Sequence, residues 1–229
     1  MMFWLAIPLT VLLYLLVKKL ARRLKSPLVN PILLPALMII ALLLLTGQDP
    51  ADYQAGMRPL SLLLELAVVA FALPLYQQAA KIRRQLLPIM LCCSLSVLIS
   101  VGTTLLIGGL VHASPELLAS IATKSITTPL AMSVSEAMGG IPAIAAGLVI
   151  IVGMMGAIAG FPLMRLAGIH HPEAQGLAMG AGAHAIGTGA AAEVGNTQGA
   201  FASLAMVVCG IVTAILAPPL FHLYLWLMH

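Results

Sequence analysis

Six long apolar runs punctuate this 229-residue chain: Met1 to Val17, Leu28 to Thr46, Leu60 to Tyr76, Leu86 to Val111, Ile141 to Leu166 and Phe201 to Met228. Each is near or above the roughly 17 to 25 residues that a helix needs to cross the hydrocarbon of a bilayer. They are continuous, whereas barrel strands alternate apolar and polar residues, so a transmembrane β-barrel is excluded. Only 8% of the residues are charged, against about 25% in an ordinary soluble domain. A soluble fold and a disordered chain are excluded with it. The predicted class is all-α: a polytopic transmembrane helical protein forming a single membrane domain over residues 1–229.

Formal charge is +4, and eight of the eleven basic residues fall in two clusters, Lys18, Lys19, Arg22, Arg23 and Lys25, then Lys81, Arg83 and Arg84. The positive-inside rule explains these clusters without a nucleic-acid partner. It predicts an inner (plasma) membrane protein with the N-terminus outside, both clusters in the cytoplasm, and the Asp49 to Asp52 loop outside. The first run lacks a preceding positive region, so it reads as a retained helix and not a signal peptide. Cys92, Cys93 and Cys209 lie within apolar runs without ligand spacing and read as small core residues. Nothing suggests a metal, a cofactor or an enzymatic constellation.

Two segments break the pattern. Glu116 to Met138 carries Lys124, Ser125, Thr127, Thr128, Pro129, Ser133, Ser135 and Glu136, and Pro129 predicts a broken or kinked helix. Gly176 to Gly195 reads GLAMGAGAHAIGTGAAAEVG, a glycine density that permits close backbone approach. Irregular backbone at membrane depth survives only where protein or a watery cavity surrounds it. Asn30-Pro31 and Ala72 to Tyr76 look like weaker counterparts in the first part of the chain. Paired interruptions point to internal inverted repeats around a binding site, here residues 1–112 and 113–229. Whether Glu116 to Met138 spans the membrane or is re-entrant is open at this point.

The polar residues in these segments each have two readings. Lys124 either snorkels or pairs, or it attracts an anionic substrate. Thr127 and Thr128 either satisfy carbonyls freed by Pro129 or bind substrate beside a helix end, whose amides and dipole favour an anion. His184 is either a packed histidine donating to a carbonyl or a proton carrier. Glu193 meets His184 only in a broken or hairpinned segment, because nine helical residues span roughly 13 Å. Glu136 and Glu65 are weaker candidates. Gly156 and Gly160, with Gly153 before them, suit either a dimer face or an intramolecular helix contact.

The runs ATKSITTPLAMSVSEAMGGIPA (122–143), GLAMGAGAHAIGTGAAAEVG (176–195), FALPLYQQ (71–78) and VNPILLPA (29–36) resemble the LrgB family of LrgB/CidB-like inner-membrane proteins, in its YohK-like branch. The resemblance implies a multi-pass protein working beside a smaller LrgA/YohJ-type membrane partner. Family members carry holin and antiholin descriptions, as modulators of murein hydrolase export and lysis, while fused plastid relatives move glycolate and glycerate and bacterial ones are linked to pyruvate. Its motif marks Thr127, Thr128, His184, Gly187 and Glu193. The chain departs from it at Thr123-Lys124-Ser125, where relatives often read Pro-Lys-Ser or lack the lysine, and at Gly189-Ala190.

The leading expectation is a secondary transporter of small monocarboxylates such as glycolate, glycerate, lactate or pyruvate. Substrate binding is assigned to Thr127, Thr128, Ser125, Lys124, Asn30, His184, Gly187 and Thr188, and proton coupling to His184 and Glu193. A homodimer in the lipid bilayer is the expected assembly. The alternative is an antiholin-like protein modulating lysis, which needs oligomerisation but not paired helix breaks.

Overall fold

The computed structural model describes residues 2–24, 33–70 and 72–228. Among the described residues all regular elements are helices. The chain divides into two compact units, Met1–Ala70 and Phe71–His229.

In the first unit α1 (Met2–Leu24) packs on α3 (Pro50–Ala70) and on α2 (Leu33–Thr46). The Thr10 hydroxyl donates to the Ala6 carbonyl at 2.6 Å and meets the Tyr53 hydroxyl at 2.7 Å, tying α1 to α3. Asp49 Oδ1 accepts from the Ala51 amide at 2.8 Å, with Pro50 as the first helical residue. That cap starts α3 well ahead of the apolar run, so Asp52 lies in its first turn and not in the loop the sequence suggested.

The second unit contains α4 (Ala72–Gln77), α5 (Ala79–Arg84), α6 (Leu86–Leu110), α7 (Pro115–Ile121), α8 (Thr128–Ala137), α9 (Pro142–Leu166), α10 (Pro172–Val194) and α11 (Asn196–Met228). Of these, α6, α9 and α11 are long and apolar enough to cross a bilayer, as is α1 in the first unit. The parallel course of α6 and α11 follows from two contacts. Cys209 Sγ donates to the Cys93 carbonyl at 3.8 Å, and further along both helices Gly109 lies against the Tyr224 hydroxyl. Helix α9, packed on α10, runs the opposite way to the start of that helix, with Gly153 against the His184 ring, Gly156 against Ala183 and Gly160 against Met179. These glycines serve an intramolecular helix contact, where a missing Cβ lets two backbones approach.

Helices α7 and α8 form a hairpin. After Ile121 the chain turns through residues 122–127, and α8 returns alongside: the Thr123 hydroxyl donates to the Ala131 carbonyl at 3.3 Å, and the Ile141 amide donates to the Ser120 hydroxyl at 2.7 Å. Of the break or kink that the sequence predicts at Pro129, the chain takes the break. Pro129 sits in the first turn of α8, where its missing N–H has no intrahelical acceptor to lose, and the break precedes it.

A second hairpin lies within α10, which reverses at Ala183 (φ −130°, ψ 17°) and His184 (φ 41°, ψ −134°). The reversal brings Gly187 onto the Met179 carbonyl. It also places Ala191 in one apolar cluster with Met164 and Met179, back toward the end from which the helix set out. The first arm, 172–182, then runs parallel to α11: Gly176 faces Gln198 and Phe201, and Gly180 faces Ala202.

An ion pair between Lys81 and Glu173 checks the count of crossings. Between them lie α6, the α7–α8 hairpin and α9, and both residues must sit on one membrane face. Two crossings satisfy this and three do not, so residues 116–138 are re-entrant and do not span. By the same count the α10 hairpin returns to the Lys81 face, from which α11 sets out parallel to α6. One unit of helix plus hairpin, α6 with α7–α8, is thus followed by a second of opposite direction, α9 with α10.

Candidate functional site: two hairpin tips and a hydroxyl-lined cavity

Both hairpin tips converge on Val149 of α9. Its fully buried side chain packs with Ile126 and Ala131 of the first hairpin. Its carbonyl accepts from His184 Nε2 at the tip of the second, at 2.8 Å. His184 is 3% exposed and holds a positive φ that L-residues rarely adopt, a strain of order 1–3 kcal/mol that the surrounding contacts must offset. Gly153 makes room for it, since a Cβ there would lie 2.6 Å from His184 Cε1.

Beside the tips a cavity of about 10 Å³ is lined by Ser96 and Ser100 of α6, Ala122 and Ser125 of the first tip, Ala181 before the second, and Thr213 of α11. That volume holds about one water, so a bound solute requires this site to open. Ser100 Oγ lies 3.0 Å from Ser125 Oγ. Lys124 Nζ donates to the Ser100 carbonyl at 3.3 Å, to Ser100 Oγ at 3.2 Å and to Thr104 Oγ1. Each of these acceptors is neutral, so among the described residues this ammonium has no paired carboxylate. An ion at membrane depth with only dipoles around it favours an anion.

The α8 N-terminus lies at the same tip. Thr127 is its N-cap in extended conformation and makes no side-chain cap bond. The first intrahelical bond runs from the Ala131 amide to the Thr127 carbonyl at 2.8 Å, which leaves the Thr128 and Leu130 amides without helical acceptors. Lys124, Ser125, Thr127 and Thr128 therefore share the first tip, with the ammonium, two helix-end amides and three hydroxyls within one short stretch.

The other predicted residues are more dispersed. Gly187 and Thr188 belong to the return arm of α10, where Thr188 donates to the His184 carbonyl at 2.8 Å and Gly187 admits the Met179 carbonyl. Glu193 is exposed near the base of that arm. Because the reversal occurs at His184 itself, the hairpin carries Glu193 away from the histidine and not toward it. Glu136 is also exposed. Asn30 lies outside the described residues, and so does the side chain of Glu65.

Sequence reasoning missed the contribution of α6. Ser96, Ser100 and Thr104 recur at i, i+4 and i+8 within the apolar run, which places three hydroxyls on one helix face. That spacing was the available signal. Thr213 and Val149 gave none, because a lone threonine or valine in an apolar helix has an ordinary packing use.

Residues 10–223 match the LrgB-like family. The chain is 41% identical over 191 residues to an uncharacterized protein of Haemophilus influenzae, covering 82% of this chain and 81% of that one. It is 34% identical over 210 residues to the uncharacterized protein YwbG of Bacillus subtilis, covering 92% and 93%. Over 167 residues it is 32% identical to the antiholin-like protein LrgB of Bacillus cereus, covering 73% of each chain. No solved structure matches significantly. With the family match running from α1 into α11, and so across both hairpins, this polytopic membrane protein belongs to the LrgB-like family.

Proposed function

We propose that the chain is a carrier of small monocarboxylates, of the size of glycolate, glycerate, lactate or pyruvate, held between the two hairpin tips. The supporting observation is the Lys124 ammonium, surrounded by neutral acceptors, beside the unpaired amides at the start of α8. In this reading the Ser125, Thr127 and Thr128 hydroxyls complete the carboxylate's hydrogen bonds, and the tips move apart to admit it. His184 exchanges a coupling proton when its bond to Val149 is released, with Glu193 as a relay at the hairpin base. The N-terminus lies outside and the Lys81 face is cytoplasmic, on the positive-inside rule. A small LrgA-type partner and a homodimer belong to the same proposal.

The name of the Bacillus cereus relative favours a second reading, an antiholin-like role in controlling lysis. Uptake of labelled two- to four-carbon carboxylates into proteoliposomes, with and without a pH gradient, separates the two. Carrier function predicts saturable uptake that falls at least about tenfold in Lys124→Met, since a hydrogen-bonded charge contributes roughly 1.5–3 kcal/mol. Absence of uptake for every carboxylate, alone and with the partner protein, favours the antiholin-like role.

A further inference from the structure

A groove of about 250 Å³ separates α6 from the first arm of α10, lined by Cys92, Cys93 and Ser96 on one side and Ala174, Leu177 and Ala181 on the other. Its two ends are informative. Ala174 follows Glu173, whose ion pair with Lys81 marks one membrane face. At the inner end Ser96 and Ala181 also line the cavity beside the tips. The groove, mostly apolar with Ser96 as its hydroxyl, therefore leads from the Lys81 face to the cavity, and the hydroxyl row of α6 continues beyond it through Ser100 to Thr104 and Lys124. Beyond Lys124 the packing closes. Gly108 is pressed against Leu118 of the first hairpin, and Gly109 against Tyr224 of α11.

We propose that this groove is the aqueous access route to the site, open to the Lys81 face in the conformation described, with Ser96 as the residue through which solute passes from groove to cavity. The proposal rests on the carrier reading for its use but not for its test. Half-buried hydroxyls at Ser96 and Ser100 lower the cost of bringing a hydrated anion to membrane depth, because each offers a donor in place of a lost water. Past the basic residues of the Lys81 face, the route carries no further cation among the described residues until Lys124 at the tip.

Thiol chemistry reads the water directly. The thiolate is the nucleophile, and a thiol facing hydrocarbon stays protonated and inert. A charged methanethiosulfonate is attacked by the thiolate to give a mixed disulfide and a released sulfinate. It is applied to membrane vesicles of each orientation, with Arg84→Cys identifying the Lys81 face. Cys92 in the otherwise unaltered protein, and Ser96→Cys in a Cys92→Ala background, should react from the Lys81 face about tenfold or more faster than Met90→Cys and Leu98→Cys respectively, both in the Cys92→Ala background; each control is exposed on the opposite side of α6, about 3 Å along the helix from its groove position. Cys92 is the native reporter should Ser96→Cys fail to fold. Equal rates for a groove thiol and its control, no reaction at either groove position, or faster reaction from the opposite face would each overturn the route. Labelling as expected without any carboxylate uptake removes the carrier and leaves the groove. Uptake without labelling removes the groove and leaves the carrier.

Discussion

The Nε2–H of His184 donates to the carbonyl of Val149 at 2.8 Å, across two helices that run in opposite directions. One side chain thereby ties the tip of the second hairpin to the helix that also buries the first, and the strained backbone of His184 is held by that contact. Replacing His184 by alanine should lower thermal stability and, in the carrier reading, change the pH dependence of uptake, because a titratable group is removed. His184→Gln, which can still donate to Val149, should restore most of the stability without the wild-type pH profile. Identical pH profiles in all three proteins would leave His184 a packing role alone.

Glycine substitutions test the geometry of the second hairpin. At Gly187 a Cβ would lie 2.5 Å from the Met179 carbonyl, whereas at Gly189 nothing lies within 4 Å. Gly187→Ala should therefore destabilise by about 1–3 kcal/mol while Gly189→Ala stays within about 0.5 kcal/mol of wild type. Thermal unfolding in detergent measures both. A neutral Gly187→Ala would show that α10 does not reverse where the structure reverses it.

Thr127 offers an unusual separation of stability from binding. Mutating an N-cap threonine ordinarily costs about 1 kcal/mol, but this hydroxyl makes no cap bond. Thr127→Val should leave unfolding nearly unchanged. In the carrier reading the Thr127→Val, Thr128→Val pair weakens carboxylate binding by about ten- to a hundredfold for each charged hydrogen bond lost. Wild-type binding by the double variant would remove both hydroxyls from the site.

The Lys81 ammonium beside Glu173 holds that carboxyl below the usual carboxylate range, with its own backbone amide adding to the effect. A lowered folded-state value means the pair's contribution is fully present above the ordinary glutamate range, near 4.3, and fades as pH falls through the lowered value. Both side chains are partly exposed, so the contribution is about 0.2–1 kcal/mol. Wild type and Glu173→Gln should differ in unfolding temperature at neutral pH and converge at acidic pH.

The crossing count has its own test. Cysteines introduced at Arg84 and at Thr197, near the start of α11, should label from one face, and a cysteine at His112 from the other. Labelling of Thr197→Cys from the His112 side would mean that α10 spans the membrane.

How much of this was legible in the sequence follows from which signals are local. Length and hydropathy identify α1, α6, α9 and α11, because a crossing helix is specified by its own composition. Glycine and proline marked the two irregular segments for the same reason. What they could not show was direction: whether Pro129 kinks a helix or begins one depends on where α7 has gone, and whether Glu193 approaches His184 depends on the residue at which the chain turns. At the first tip, Lys124 to Thr128 are consecutive, so their proximity was readable. Ser100 and Thr104 come from another helix, and only packing brings them to the ammonium.

The second hairpin also bears on how the protein is made. Its two arms are short, rich in glycine and alanine, and pack their backbones closely on α9 and α11. Such a segment lacks the apolarity to partition into lipid by itself, and α10 is absent from the helices able to cross a bilayer. The long flanking helices must therefore enter the membrane first, and residues 172–194 reach their depth only once a proteinaceous slot awaits them. In a ribosome-bound chain ending before α11, these residues should still be at the water interface.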